Sequence, residues 1–187
     1  MYKQRENKIT TRTLAYSALL AALSVVLARM IIPMPNASTR FSIEAVPIFL
    51  AGMLFGPVPG ALVGFTADLV GCLFSGYGYN PIFCLPPILY GLWGGLSRYY
   101  ICSKPNLLRV TLSWLPPVVL GSVLYQSAAL ALIYGQEIFY KSFLIYLGSR
   151  SVQFAVTLVL DIMIVCLLCR SNIFKRMGVW PERKEKS

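Results

Sequence analysis

The sequence predicts an all-α integral membrane protein: one bundle of six transmembrane helices, with the N- and C-termini in the cytoplasm. Three observations predict it. Of the 187 residues, 57% are hydrophobic and 13% are charged, whereas soluble domains carry roughly 25% charged residues, and mean hydropathy is +0.66. Apolar blocks fall near 13–33, 44–56, 58–75, 82–101, 112–134 and 142–169, and about 20 apolar residues cross the hydrocarbon core. Finally, 13 of the 17 Lys and Arg residues lie in the N-terminal tail, between blocks four and five, or at the C-terminal end. That bias sets both ends in the cytoplasm, and an even number of crossings agrees. Residues 1–187 read as a single transmembrane domain, with 1–12 and 171–187 as cytoplasmic tails.

The first block follows a basic tail and resembles a signal peptide at its start, but its apolar run from Leu14 reaches Ile32. That is too long for a cleaved segment, so it reads as a retained span. Ala15, Ala18 and Ala22 stand on it at helical spacing. Small residues let helices approach closely in lipid, either inside the bundle or as a docking face for another membrane protein. Arg29 ends this helix, and Arg40 and Glu44 flank the start of the second. The second block is short, so its helix is expected to be stubby with the Arg40 end wet. Gly56-Pro57-Val58-Pro59-Gly60 separates it from the third, because two prolines and two glycines in five residues break a helix.

The segment "SGYGYNPIF", 75–83, joins the third and fourth helices and supplies Tyr77, Tyr79, Asn80 and Phe83. Tyrosines there suit an interfacial aromatic belt. On a glycine-flexed loop they also suit a lid over a planar ligand, with aromatic faces to stack and amide edges to read donors and acceptors. Gln126 in the fifth helix and Gln153 in the sixth add further amide edges; Arg150 falls in the first turns of the sixth. Asp68 and Asp161 sit inside the third and sixth helices, where hydrogen-bonded packing outweighs an ion relay. The last residues, "WPERKEKS", read as a solvated tail.

Composition excludes several chemistries. The chain has no His, so Ser–His catalysis and His-ligated zinc are absent. No GxxxxGK[ST] loop is present for nucleotide phosphates. Cys166 and Cys169 form a CxxC without a second ligand pair, and the five cysteines lie in or beside apolar stretches. No catalytic residue, metal or cofactor is expected, and the protein does not read as an enzyme. The net charge of +10 reflects cytoplasmic basic residues rather than a nucleic-acid surface.

Arg29, Arg40, Glu44 and Arg150 all fall on the outer half of the bundle by this orientation. Charge in lipid pairs, snorkels or lines a wet cavity. The functional reading is a cavity that presents cations to an anionic ligand, with the aromatics beside them.

The stretch "RFSIEAVPIFLAGMLFGPVPGALVGFTADLVGCLF" resembles the substrate-binding S components of energy-coupling factor (ECF) vitamin transporters, and looks closest to their folate-specific branch. Arg40, Ser42, Pro47, Leu50 to Pro57, Gly60 to Gly64, Ala67 to Leu69 and Gly71 carry the match. The Ala18-x-x-x-Ala22 pair, "YGL" at 90–92, "YG" at 134–135 and Arg150 also fit. The resemblance implies six helices around a pocket open to the outside, with Ser42 joining Arg40 at its mouth. It implies vitamin binding by this subunit alone and docking of the helix-one alanines on an ECF transmembrane coupling subunit. Two cytoplasmic ATPase subunits would drive transport, with the loaded subunit toppling in the bilayer. Folate fits such a mouth: its pterin would stack on Tyr79 or Phe83 while its carboxylates meet Arg29, Arg40 or Arg150.

The chain departs from the folate pattern in two places. "PIFCLPP", 81–87, replaces a segment like "PGFTLSA", and "QSAALALIYG", 126–135, lacks the usual Asn, Thr and Trp. Both changes reshape pocket walls. The alternatives left open are another B vitamin or precursor (thiamine, riboflavin, a deazapurine) and an accessory membrane protein whose charges merely snorkel.

Overall fold

The structure is a computed structural model. It describes residues 10–29, 32–33, 40–41, 43–75, 79–103, 106–135, 139–171 and 173–181. It is helical apart from one small hairpin. The helices are α1 (Thr11–Arg29), α2 (Ala45–Phe55), α3 (Pro57–Ser75), α4 (Leu85–Leu96), α5 (Arg98–Ser103), α6 (Leu107–Pro116), α7 (Gln126–Tyr134), α8 (Phe139–Arg170) and α9 (Ile173–Arg176). A 3-10 turn, Pro81–Cys84, leads into α4, and a π-helical segment, Pro117–Tyr125, joins α6 to α7. Among the described residues, four helices are long and apolar enough to cross a membrane: Thr11–Arg29, Pro57–Phe74, Leu107–Tyr134 and Phe139–Arg170. Two shorter apolar helices, Ala45–Phe55 and Pro81–Leu96, complete the bundle.

α1 starts where Thr10 accepts from the Thr13 backbone N–H, as an N-cap threonine does. It ends at Arg29, earlier than the apolar run suggests. Ile32–Pro33 is instead a strand, β1, paired antiparallel with β2, Arg40–Phe41. Apolarity alone does not distinguish a helix from an extended segment.

α2 is buried along its whole middle, from Val46 to Leu54. A helix that is hydrophobic all round has nowhere to go but the core. Phe49 packs on Trp114 with ring centroids 4.2 Å apart, and Tyr90 on Trp114 at 5.8 Å. The break after α2 is narrower than its five Gly and Pro residues suggest. Gly56 alone makes it, at φ 110°. Pro57 and Pro59 fall in the first turn of α3, where a missing N–H costs nothing.

The glycines at 52, 60 and 64 serve the interior of the bundle. A Cβ at Gly52 would collide with the Gly91 carbonyl, one at Gly91 with the Gly60 carbonyl, and one at Gly64 with the Pro87 carbonyl. α2, α3 and α4 therefore meet backbone to backbone.

Leu107–Tyr134 is one continuous 28-residue helix that passes through Pro116 and Pro117. Proline lacks the N–H and crowds the preceding turn. The helix absorbs both by widening to π winding over Pro117–Tyr125, as π segments do. Its first residue, Leu107, lies before the apolar block, and α8 likewise starts at Phe139. Arg150 therefore sits three turns inside α8 rather than in its first turns.

The chain ends meet at one end of the bundle. Arg12 donates to the Met177 carbonyl oxygen. Phe174, Val179 and Trp180 pack against the core, and Pro181 is buried. Trp180 and Pro181, at the head of "WPERKEKS", are thus folded onto the bundle rather than solvated. At the same end Arg98 Nη2 donates to the Leu54 carbonyl, 3.1 Å away, filling an acceptor left open by the end of α2.

Candidate ligand site

The opposite end, beyond Arg29, carries the hairpin, the 3-10 turn and the start of α8. α8 packs against β2, which brings the Arg40 backbone beside the helix that carries Arg150. α7, which begins at Gln126, packs against the 3-10 turn that holds Phe83. Segments remote in sequence thus pack together toward this end.

Individual residues divide by what already holds them. Arg29 is exposed, and its Nη2 donates to the Gly71 carbonyl at 2.7 Å, which ties the end of α1 to α3. Arg40 is described through its backbone, in β2. Ser42 and Tyr77 lie outside the described residues. Glu44 precedes α2, and its carbonyl accepts from Ser24 Oγ at 2.8 Å. Asn80 caps the 3-10 turn, with its Oδ1 accepting from Ile82 N at 3.1 Å; that oxygen is committed to the turn. Tyr79 is 43% exposed and shares a side-chain hydrogen bond with Cys84, which chiefly raises its phenol pKa above the ordinary value. Phe83 is half-buried, and Gln126 sits half-buried where the π segment returns to α-helix.

α8 contributes a polar face. The Arg150 guanidinium lies 5.9 Å from the Phe154 ring centroid. Below it Gln153, Thr157 and Asp161 are 8%, 5% and 5% exposed. Spacings of four residues keep all three on one side of a helix, and Arg150 is eleven before Asp161, or three turns. Thr157 Oγ1 bonds the Gln153 carbonyl at 3.2 Å. Asp161 Oδ1 is buried without a hydrogen-bond partner. Glu44 acts on Asp161 electrostatically, as Asp161 does on Tyr90, and the Tyr90 hydroxyl is 3.0 Å from Ser122 Oγ. Asp68, on α3, shares a side-chain hydrogen bond with Cys84 and keeps its Oδ2 without a partner. Ser127 Oγ on α7 is also buried and unpartnered.

Tyr90, Ser122, Ser127 and Asp161 were not singled out by the sequence as site residues. The spacing Gln153-Thr157-Asp161 was the readable signal, since three polar residues four apart in a membrane helix mark an inward stripe. Nothing local marked the serines. Among the described residues no group of three His, Cys, Asp or Glu is placed to hold a metal ion.

A concavity lies on the side of the bundle. It is an apolar groove of about 640 Å³ between α1 and α3, lined by Ser17, Ala18, Ala21, Ala22, Leu62 and Thr66 among others. Ala18 and Ala22 are in it; Ala15 is exposed on the same helix outside the groove lining.

The structure is an apolar helical bundle with a buried polar stripe along α8. The fold is that of two solved S components. The crystal structure of FolT bound with folic acid superposes with a TM-score of 0.72, at 26% identity, covering 86% of this chain and 94% of that one. The S component for biotin from an ECF-type ABC transporter gives 0.65, at 18% identity, covering 97% and 100%. Curated relatives include UPF0397 proteins of Streptococcus pneumoniae strains CGSP14 and Hungary19A-6, each 28% identical over 130 residues, 70% of this chain and 68% of theirs. The model of the ECF-type riboflavin transporter S component family matches residues 8–171, and the chain belongs to that family. It is an integral membrane transporter subunit, not an enzyme.

Proposed function

We propose that this chain captures folate or a related pterin vitamin from outside a bacterial plasma membrane for ATP-driven uptake. The observation that carries the reading is the α8 face, with Arg150 above a buried polar stripe that ends at Asp161. A cation over a deep polar floor suits a ligand with an anionic tail and a polar ring. The likeness to a FolT structure holding folic acid supports the choice of vitamin. In this reading six segments lie in the membrane, both chain ends are cytoplasmic, and Arg29, Arg40, Ser42, Glu44, Tyr77, Tyr79, Asn80, Phe83, Gln126, Arg150 and Gln153 surround the ligand. Ala15, Ala18 and Ala22 face the ECF transmembrane coupling subunit, which works with two cytoplasmic ATPase subunits.

The description of the matching family favours riboflavin as the second reading. Tryptophan fluorescence titration of the detergent-purified subunit separates the two. Saturation by folate at nanomolar to low micromolar concentration, without response to riboflavin, supports the first reading. Saturation by riboflavin alone replaces it with the second.

A further inference from the structure

The deepest polar group on the α8 face has no assigned task. Asp161 is 5% exposed and its Oδ1 meets no donor. The neighbouring hydroxyls are occupied: Thr157 bonds its own helix and Tyr90 shares a bond with Ser122. Glu44, another acid, acts on Asp161 electrostatically, and among the described residues no cation is placed beside it. A buried carboxyl oxygen left without a donor costs free energy. The cost is relieved by a donor arriving from outside the chain. A metal ion does not fit, because no third ligand is placed beside the two acids among the described residues.

We infer that Asp161 is the specificity-determining residue of the ligand site, accepting N–H bonds from a ring edge that carries adjacent donors, such as the amino group and ring N–H of a 2-amino-4-oxopyrimidine. This rests on the reading of the α8 face as the ligand site. Arg150 lies on the same face, about 16 Å up the helix at about 1.5 Å per residue. The Arg150 cation and the Asp161 acceptor oxygen therefore orient one ligand: donor-bearing ring down, anionic tail up. The same geometry rejects an isoalloxazine edge. There a single N–H stands between two carbonyl oxygens, and those oxygens would face a carboxylate. The assignment thus opposes a flavin, despite the description of the family.

The test uses two ring systems that differ at one atom. Pterin-6-carboxylate presents the amino group and ring N–H; lumazine-6-carboxylate replaces the amino group by an oxo group. Both are titrated calorimetrically into the full-length wild-type subunit and into Asp161→Asn, with riboflavin as a third ligand. The wild type is expected to bind the pterin at least tenfold more tightly than the lumazine. In Asp161→Asn the ratio should fall below threefold, with a thermal midpoint no lower than that of the wild type. The wild-type ratio needs no variant, so misfolding of Asp161→Asn leaves the test intact. A wild-type ratio near one, or an unchanged ratio in the variant, overturns the role of Asp161 while pterin binding leaves the transport reading standing. Binding of riboflavin but neither pteridine overturns both.

Discussion

Arg150 and Arg98 show how the same side chain type does different work at the two ends of this bundle. Arg150 sits among half-buried and buried side chains above the polar stripe, with its guanidinium over Phe154. Arg150→Ala is expected to weaken folate at least tenfold, about 1.4 kcal/mol, without lowering the thermal midpoint. A loss under threefold would remove the cation from the site. Arg98 instead satisfies the Leu54 carbonyl at the end of α2. Arg98→Ala should leave affinity unchanged and cost about 1.5 kcal/mol of stability, the usual worth of a hydrogen bond from a charged donor. Detergent-melting curves distinguish the two variants. The arginines were legible in the sequence because charge in an apolar chain is conspicuous. Their partners were not, since Gly71 and Leu54 offer only backbone carbonyls, which every residue has.

At the scale of elements, the contact of α2, α3 and α4 is made by glycines 52, 60, 64 and 91. Gly91→Val should force α4 away from α3 and cost about 2–3 kcal/mol or more. A monodisperse size-exclusion peak with a wild-type melting temperature would contradict the close approach. Gly52, Gly56, Gly60 and Gly64 stand at helical spacing in the sequence, but that spacing fits internal packing and partner docking alike. Only the position of α4, some thirty residues further along, decides between them. The π segment was hidden for a related reason. Pro116 and Pro117 announce a disturbance, yet whether a helix breaks, kinks or widens depends on what packs around it. Here Gly121 lies against Pro86 and Leu89.

At the scale of the molecule, the polar face of α8 and the α1–α3 groove lie on different surfaces. The polar face of α8 looks inward; the groove opens sideways, where lipid or a membrane partner would lie. Ala18→Phe fills the groove without touching α8. Vitamin binding should stay within twofold of the wild type, while co-purification with the coupling subunit should be lost. Retained co-purification would move the docking face elsewhere, and loss of vitamin binding would show that the two surfaces are not independent.

The sequence by itself determined the membrane setting, the apolar helices and, through residues 40–74, the kinship with S components. Hydropathy and motif are local properties, readable without knowing what touches what. Tertiary structure decided which glycines meet and that Trp180 and Pro181 turn back onto the core. It also decided that the Tyr90 hydroxyl meets Ser122 and that Asp161 lies within electrostatic reach of Tyr90 and Glu44. These are contacts between helices far apart in the chain. Their geometry follows from backbones drawn close at glycines, not from any single stretch of residues.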